Sequence, residues 1–343
     1  MSTIKKIANV AGVSVATVSY VLNGKESISP ETRDKVLDAA HGLSYLPGQG
    51  RGRRKQLPTI GKKLTNVSFV GCLGFSPIGE AYFGQMLKGC LDASNESLVT
   101  VQVHEVKPEA MTADEIPLSL RQSTAEGLIL TGVLQPNILG TLSKLGKPIV
   151  LLDIHYLYPG FSHVRPDNFG GILKALQHLN SLGHKRIGVI AGDLSFACEV
   201  ERLAAYHMGM MQLGLPFEED WIVREEYMSE LTGYQGMKRL LSRELNLSAV
   251  LCFGDLLARG AITAAHEAKI SIPFDMSIVG FDNQAWTAKS VCPITTVDTS
   301  LLELGRVAFR HLKELVVNPK SKAQRITVEA ELVVRQSTAP FKG

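Results

Sequence analysis

Cysteine is scarce in this chain, with five among 343 residues (Cys72, Cys90, Cys198, Cys252 and Cys292). The count is odd, the positions are scattered and no CxxC pair occurs, which excludes a disulfide framework or cysteine metal cluster and points to a reducing compartment. No apolar run approaches the ~20 residues that a helical membrane span needs. The opening MSTIKKIANV has no apolar core of a secretory signal, so the expected location is the cytoplasm. Neither GxGxxG nor a Walker pattern follows any apolar strand, which speaks against a phosphate-loop enzyme. The nine histidines form no metal pair at helical spacing. No Ser-His-Asp or paired-carboxylate arrangement is legible either. The chain is therefore expected to be no enzyme, and no cofactor is implied.

What is present is unevenly charged. The net charge is only +3, yet residues 1–63 carry eleven Lys/Arg and four Asp/Glu, a balance of +7 that leaves −4 for the rest. A basic head on a mildly acidic body suits phosphate contact by the head alone. Within that head, ANVAGVSVATVSYVLNG (residues 8–24) reads as two short helices around a break at Gly12-Val13-Ser14. Ala8 and Ala11 allow close approach, Gly12 makes the turn, and Ser14 is a natural N-cap for the second helix. Val18, Val21 and Leu22 face inward, which leaves Val15, Ala16, Thr17, Ser19 and Tyr20 on or near the outer face. Asn23-Gly24 ends this helix, and Ser29-Pro30-Glu31 starts a third, with Val36, Leu37, Ala40 and Leu43 inward. A helix that presents methyls and small polar groups at its start is shaped for a DNA major groove.

Beyond Asn66 the pattern alternates. Apolar strand-like runs (67–70, 98–103, 128–130, 149–152, 187–191, 249–253, 277–281) are separated by helical stretches (81–93, 168–181, 201–213, 231–242, 256–268). Continuous apolar strands between helices mean parallel sheets covered on both faces. The units are too many for one small sheet, so two doubly wound subdomains are expected, with any ligand in the crevice at the strands' carboxyl ends. The late segments 295–298, 301–316 and 326–334 then need places in both halves. Between head and body, GQGRGRRKQLPTIGKKL is rich in glycine and cations and reads as a linker.

TIKKIANVAGVSVATVSYVLNGKESISPETRDKVLDAAHGLSYLP resembles the N-terminal headpiece of the LacI/GalR family of bacterial transcription regulators, and the rest of the chain resembles that family too. The resemblance implies an all-α helix-turn-helix headpiece (1–47), a hinge linker (48–65) and a periplasmic-binding-protein-like body (66–343). It implies an N-subdomain of about 66–165 with 296–323 and a C-subdomain of about 166–295 with 324–338. Val15, Ala16 and Tyr20 stand at base-contacting positions; tyrosine replaces the usual arginine there, so a guanine preference is not carried over. Thr3, Thr17, Ser19 and Asn23 match phosphate contacts, with Ser14 beside them. The linker departs from the family: glycines 48, 50 and 52 oppose a hinge helix, and Arg54 stands where a leucine would enter the minor groove. Arg51, Arg53 and Arg54 suit non-specific phosphate contact by a basic linker first, and also resemble the core of an AT-hook that docks in the minor groove.

In the body the resemblance places Ser76, Tyr82, Phe83, Asp153, Cys198, Arg202, Met228, Gly254 and Asp282 at effector positions. Arginine with aspartate suits a polyol, one donating as a fork and the other accepting hydroxyl protons. Gly254 replaces a polar amide and Met228 an aromatic, and the EAYF stretch is also compatible with a purine-type effector. Expected partners are thus a pseudo-palindromic double-stranded DNA operator, a small effector (sugar-like before purine or nucleoside) and a second copy of the chain. The chain ends where relatives without a tetramerising tail end, so a homodimer is implied, without membrane attachment and on the nucleoid when operator-bound. A solute-binding protein is the rival reading, which the headpiece opposes.

Overall fold

The computed structural model describes residues 3–22, 29, 31–32, 35–36, 39, 64–72, 81–110, 112–154, 156 and 158–342. It divides into two units, residues 1–60 and 61–343.

In the first unit, α1 (Thr3–Ala11) and α2 (Val15–Leu22) are joined by the expected break. Gly12 takes a φ of +65°, which an L side chain adopts only under strain. The Val13 N–H turns back to the Ala8 carbonyl at 3.0 Å. Ser14 caps α2, its Oγ accepting the Thr17 N–H at 3.0 Å. Ile7, Ala8, Val18 and Val21 form a small core with Val36 and Ala39. Leu22, Leu37, Ala40 and Leu43, expected inward, lie outside the described side chains.

The second unit holds two six-stranded sheets. The first contains β1 (Asn66–Cys72), β2 (Thr100–Glu105), β3 (Gly127–Gly132), β4 (Ile149–Ile154), β5 (Ser162–Pro166) and β11 (Arg325–Val328), in the order β11-β5-β4-β3-β1-β2. The second contains β6 (Ile187–Ala191), β7 (Ile222–Arg224), β8 (Ala249–Cys252), β9 (Ser277–Phe281), β10 (Thr295–Asp298) and β12 (Glu331–Val333), in the order β12-β10-β9-β8-β6-β7. Pairing is parallel except between β10 and β12, so the second sheet has one antiparallel edge.

Between the strands run α3 (Ala81–Glu96), α4 (Leu118–Arg121), α5 (Pro136–Ser143), α6 (Asn168–Ser181), α7 (Ala197–Gln212), α8 (Glu230–Ser242), α9 (Asp255–Glu267) and α10 (Leu301–Val317). Each sheet separates two apolar cores. In the first, Phe69 and Ile129 face α3 and α10, while Val70, Leu128 and Leu130 face the opposite layer. That two-sided burial is why the strands read as unbroken apolar runs. Helix packing is close in both lobes: a Cβ on Gly305 would stand 1.9 Å from the Met86 carbonyl oxygen, and one on Gly260 1.9 Å from that of Glu230.

The chain crosses between lobes three times, a few residues later than expected. Residues 295–298, placed across the expected boundary at 296, join the second sheet as β10, and 325–328, expected in the second lobe, join the first as β11. The expected single strand over 326–334 is two strands in different sheets, interrupted at Glu329-Ala330. Both segments are short and apolar enough for either sheet, so long-range pairing decides their place. The short β5 and β7, and helix α5, were not anticipated.

Candidate functional site

In the headpiece, α2 presents the surface that the sequence anticipates. Val15 and Tyr20 are each 44% exposed, and Ala16 is exposed beside them. Thr17 and Ser19 are half-buried. The Ser14 and Thr17 hydroxyls lie 2.9 Å apart, so Ser14 is engaged as a cap while remaining at the surface. Thr3 opens α1. The side chain of Thr3, and Asn23, Arg51, Arg53 and Arg54 entirely, lie outside the described residues.

In the body, seven of the nine expected effector residues gather where the strands' carboxyl ends of the two lobes meet. Tyr82, on the first turn of α3, donates its hydroxyl to Asp153 Oδ2 at 2.6 Å. Burial raises the Tyr82 pKa, and the charges of Asp153 and Asp282 raise it further, so the phenol stays a donor. Asp153 ends β4 at φ 47°, and Asp282 follows β9 at φ 106°. Both aspartates thus sit in left-handed backbone at the carboxyl end of a strand, Asp153 just inside it and Asp282 just past it, at a cost of about 1–3 kcal/mol each.

Arg202, on α7, is 4% exposed. Its Nε donates to Asn168 Oδ1 at 3.0 Å, and its Nη1 donates to Glu199 Oε1 at 3.2 Å and to the Phe253 carbonyl. Its guanidinium lies over the Phe281 ring at 3.9 Å, and Nη2 stands 3.7 Å from Asp282 Oδ1. Burial disfavours this charge, but Glu199 and then Asp282 outweigh it and hold the guanidinium protonated. Asp282 Oδ1 is buried without a hydrogen-bond partner. Burial drives the Asp282 pKa well up; Arg202 opposes the shift, and Asp255, Asp153 and Glu199 reinforce it.

Cys198 lies among the charges of Arg202, Glu199, Asp153 and Arg165, and burial pushes its thiol up to about 12, so it is no thiolate. The Met228 methyl lies 2.3 Å from where a Cβ on Gly254 would stand, and its sulfur 2.8 Å from a Cβ on Gly192. The thioether therefore crosses two glycines at the ends of β6 and β8. A side chain at 254 would require Met228 to move, so the two departures from the family pattern are one packing solution.

Phe83 meets Tyr82 edge-on at 5.2 Å and packs against the first lobe's core, so it supports Tyr82. Ser76 lies outside the described residues. His184 is structural, bridging Ser248 Oγ and the Ala339 carbonyl at 3.0 Å each. Sequence reasoning missed Asn168 and Glu199, which hold Arg202, Glu201, which holds Asn168, and the contact of Tyr156 with Phe196 at 6.2 Å. Their signals are ordinary helix-start and surface-charge patterns. A separate cavity of about 770 Å³ opens at the other end of the first sheet, beside Glu126, Lys147 and Asn318, and contains none of these residues.

Asp255 supplies a pH test. It is fully buried, accepting from Thr296 Oγ1 at 2.6 Å and the Gln284 N–H at 2.7 Å, and burial raises its pKa to about 7. An unfolded aspartate titrates near 3.9. Between these values the folded chain holds a proton that the unfolded chain has lost, so this contribution to stability falls as pH rises through the window. The melting temperature of the wild type relative to Asp255→Asn is expected to be higher at pH 5 than at pH 8. Parallel pH profiles for the two proteins would contradict this.

Geometry defines the class: a helix-turn-helix head with an exposed, capped second helix, and a two-lobed body with a polar cleft, make a ligand-responsive DNA-binding regulator. Residues 3–48 match the family described as bacterial regulatory proteins, lacI family, and residues 176–338 match the periplasmic binding protein-like domain. The chain is 30% identical to the HTH-type transcriptional repressor PurR of Klebsiella pneumoniae over 347 aligned residues, covering 99% of this chain and 98% of that protein. It is 29% identical to the transcriptional regulator DegA of Bacillus subtilis, covering 99% of each. Among solved structures, the regulator CelR in complex with cellobiose aligns with a TM-score of 0.71 at 24% identity, over 98% of this chain and all of that one. A Lac repressor dimer bound to operator and the anti-inducer ONPF aligns at 0.68 and 24%, over 98% and 99%. The chain belongs to the LacI family of bacterial transcription regulators. Its relatives are regulators rather than enzymes. Among the described residues no helix is long and apolar enough to cross a membrane.

Proposed function

We propose that this protein is a homodimeric, operator-binding repressor whose DNA affinity is set by a hydroxyl-rich, sugar-like effector in the interlobe cleft. The carrying observation is the pair formed by Arg202 Nη2 and the partnerless, buried Asp282 Oδ1, 3.7 Å apart. A ligand hydroxyl accepts from the first and donates to the second, relieving an unsatisfied acceptor that otherwise costs stability. Tyr82, Asp153, Cys198, Met228 and Gly254 complete the contact surface, with Phe83 behind Tyr82; Ser76 joins them by resemblance to the family alone. The named ligands of two structural relatives, cellobiose and ribose, support a sugar-like occupant.

At the operator, Val15, Ala16 and Tyr20 read base edges, while Thr3, Ser14, Thr17, Ser19 and Asn23 position the head on phosphates. Arg51, Arg53 and Arg54 of the 48–65 linker add non-specific phosphate contacts, with docking in the central minor groove as the second reading. Two heads (1–47) on a dimer of bodies read a pseudo-palindrome. Effector binding closes the lobes and changes how the heads are presented, a coupling of ~1–3 kcal/mol or roughly 5–150-fold in operator affinity. The protein acts in the cytoplasm.

A purine or nucleoside is the second reading, favoured by the Tyr82–Phe83 rings and the Met228 thioether as surfaces for a flat ring. Thermal unfolding with cellobiose, ribose, other sugars and polyols, nucleosides and purine bases separates the two. A sugar is expected to raise the melting temperature, since ligand binds only the folded state, and Asp282→Asn is expected to abolish the rise. A response to purines alone would overturn the sugar assignment.

A further inference from the structure

Arg202 is held by a buried side chain at the start of a neighbouring helix. Asn168, the first residue of α6, is 1% exposed and follows Asp167, whose Oδ1 caps the helix by accepting the Gly170 N–H at 2.8 Å. Its Oδ1 accepts from Arg202 Nε at 3.0 Å, and its Nδ2 donates to Glu201 Oε2 at 3.2 Å. Glu201 in turn receives both ends of the Arg165 fork, at 2.7 and 2.8 Å. Arg165 belongs to β5 of the first sheet, where it stands opposite Thr327 of the crossover strand β11.

These four residues form a continuous polar chain from the cleft to the strands where the backbone changes lobes. The other groups that hydrogen-bond, ion-pair or stack with Arg202 (Glu199, Phe253, Phe281 and Asp282) belong to the second lobe, and Tyr82 of the first lobe acts on it only electrostatically. Asn168 is thus the link that carries Arg202 toward the first. The position needs an acceptor toward a guanidinium and a donor toward a carboxylate at once, and a carboxamide supplies both. A bidentate Arg165–Glu201 pair gives the far end geometric definition as well as charge. Arg165 is 13% exposed at its side chain and Glu201 37%, so solvent screens this pair in part.

We propose that Asn168 is a positioning residue that orients Arg202 and couples it energetically, through Glu201 and Arg165, to the lobe crossover. The inference rests on Arg202 being the effector's contact, and its test contains no effector. In the full-length protein, thermal unfolding is measured for Arg165→Lys, Arg202→Lys and the double variant. The two losses are expected to be non-additive by about 2–4 °C. In an Asn168→Ala background they are expected to add within about 1 °C.

Additivity in the wild type overturns the proposal, and undiminished non-additivity without Asn168 overturns the route. Should Asn168→Ala fail to fold, Glu201→Ala provides the second background, because the Glu201 side chain is 37% exposed. There the non-additivity is expected to vanish while the hydrogen-bonded Arg202 Nε–H resonance stays in its wild-type position. Persistence of the coupling in that background also overturns the route. A failed sugar response leaves this cycle readable, and a failed cycle leaves the sugar response intact, so the two readings fail separately.

Discussion

Arg202→Ala is expected to lower the stability of the body by about 3–5 kcal/mol and to abolish any sugar-dependent rise in melting temperature. The magnitude follows from what surrounds the guanidinium. Its side chain is 5% exposed, Glu199's is 2% and Asp282's 10%. Removing the cation strands two buried carboxylates, the Phe253 carbonyl and Asn168 Oδ1 without their donor. Arg224→Ala serves as control, since its partner Glu219 is 65% exposed. An exposed ion pair of that kind contributes at most about 1 kcal/mol. Denaturant unfolding of the three proteins compares them directly, and an Arg202→Ala midpoint equal to wild type would refute the assignment.

A second large effect belongs to the headpiece. Val15→Asp is expected to weaken operator binding by about 10- to 100-fold, since at the proposed base-contacting position it replaces an apolar side chain by a charge the DNA repels. Val15 is the first residue of α2 and 44% exposed. An aspartate there meets the positive end of the helix, which is favourable, so folding is expected to stay within about 0.5 kcal/mol of wild type. Fluorescence anisotropy on an operator selected from random DNA gives the affinity, and a thermal melt gives the control. Unchanged affinity would remove α2 from the DNA surface.

Several features of this molecule were legible because their causes are local. The headpiece needs only a glycine that tolerates positive φ, a serine cap and inward Val18 and Val21, all within sixteen residues of Ile7. The doubly wound body announces itself in apolar strands buried on both faces. Tyr82, Arg202 and Asp282 were found through the motifs around them, and the cleft does bring them together.

Other features depend on distance along the chain. Residues 295–298 and 325–328 carry no mark of which sheet they join; partner strands more than a hundred residues away decide for β11. The Arg165–Glu201–Asn168–Arg202 chain spans three elements (β5, α6 and α7) and a crossover, and Arg165, Glu201 and Asn168 each read alone as a solvated charge or a helix start. Gly254 and Met228 look like separate oddities until the methyl is seen lying over the glycine. The sequence by itself determined the class of protein, because helix breaks, caps and strand periodicity are properties of neighbours. Only the tertiary structure decided how Arg202 is held and why Asp282 lacks a partner, because burial and hydrogen bonding between distant segments arise only when the chain is packed.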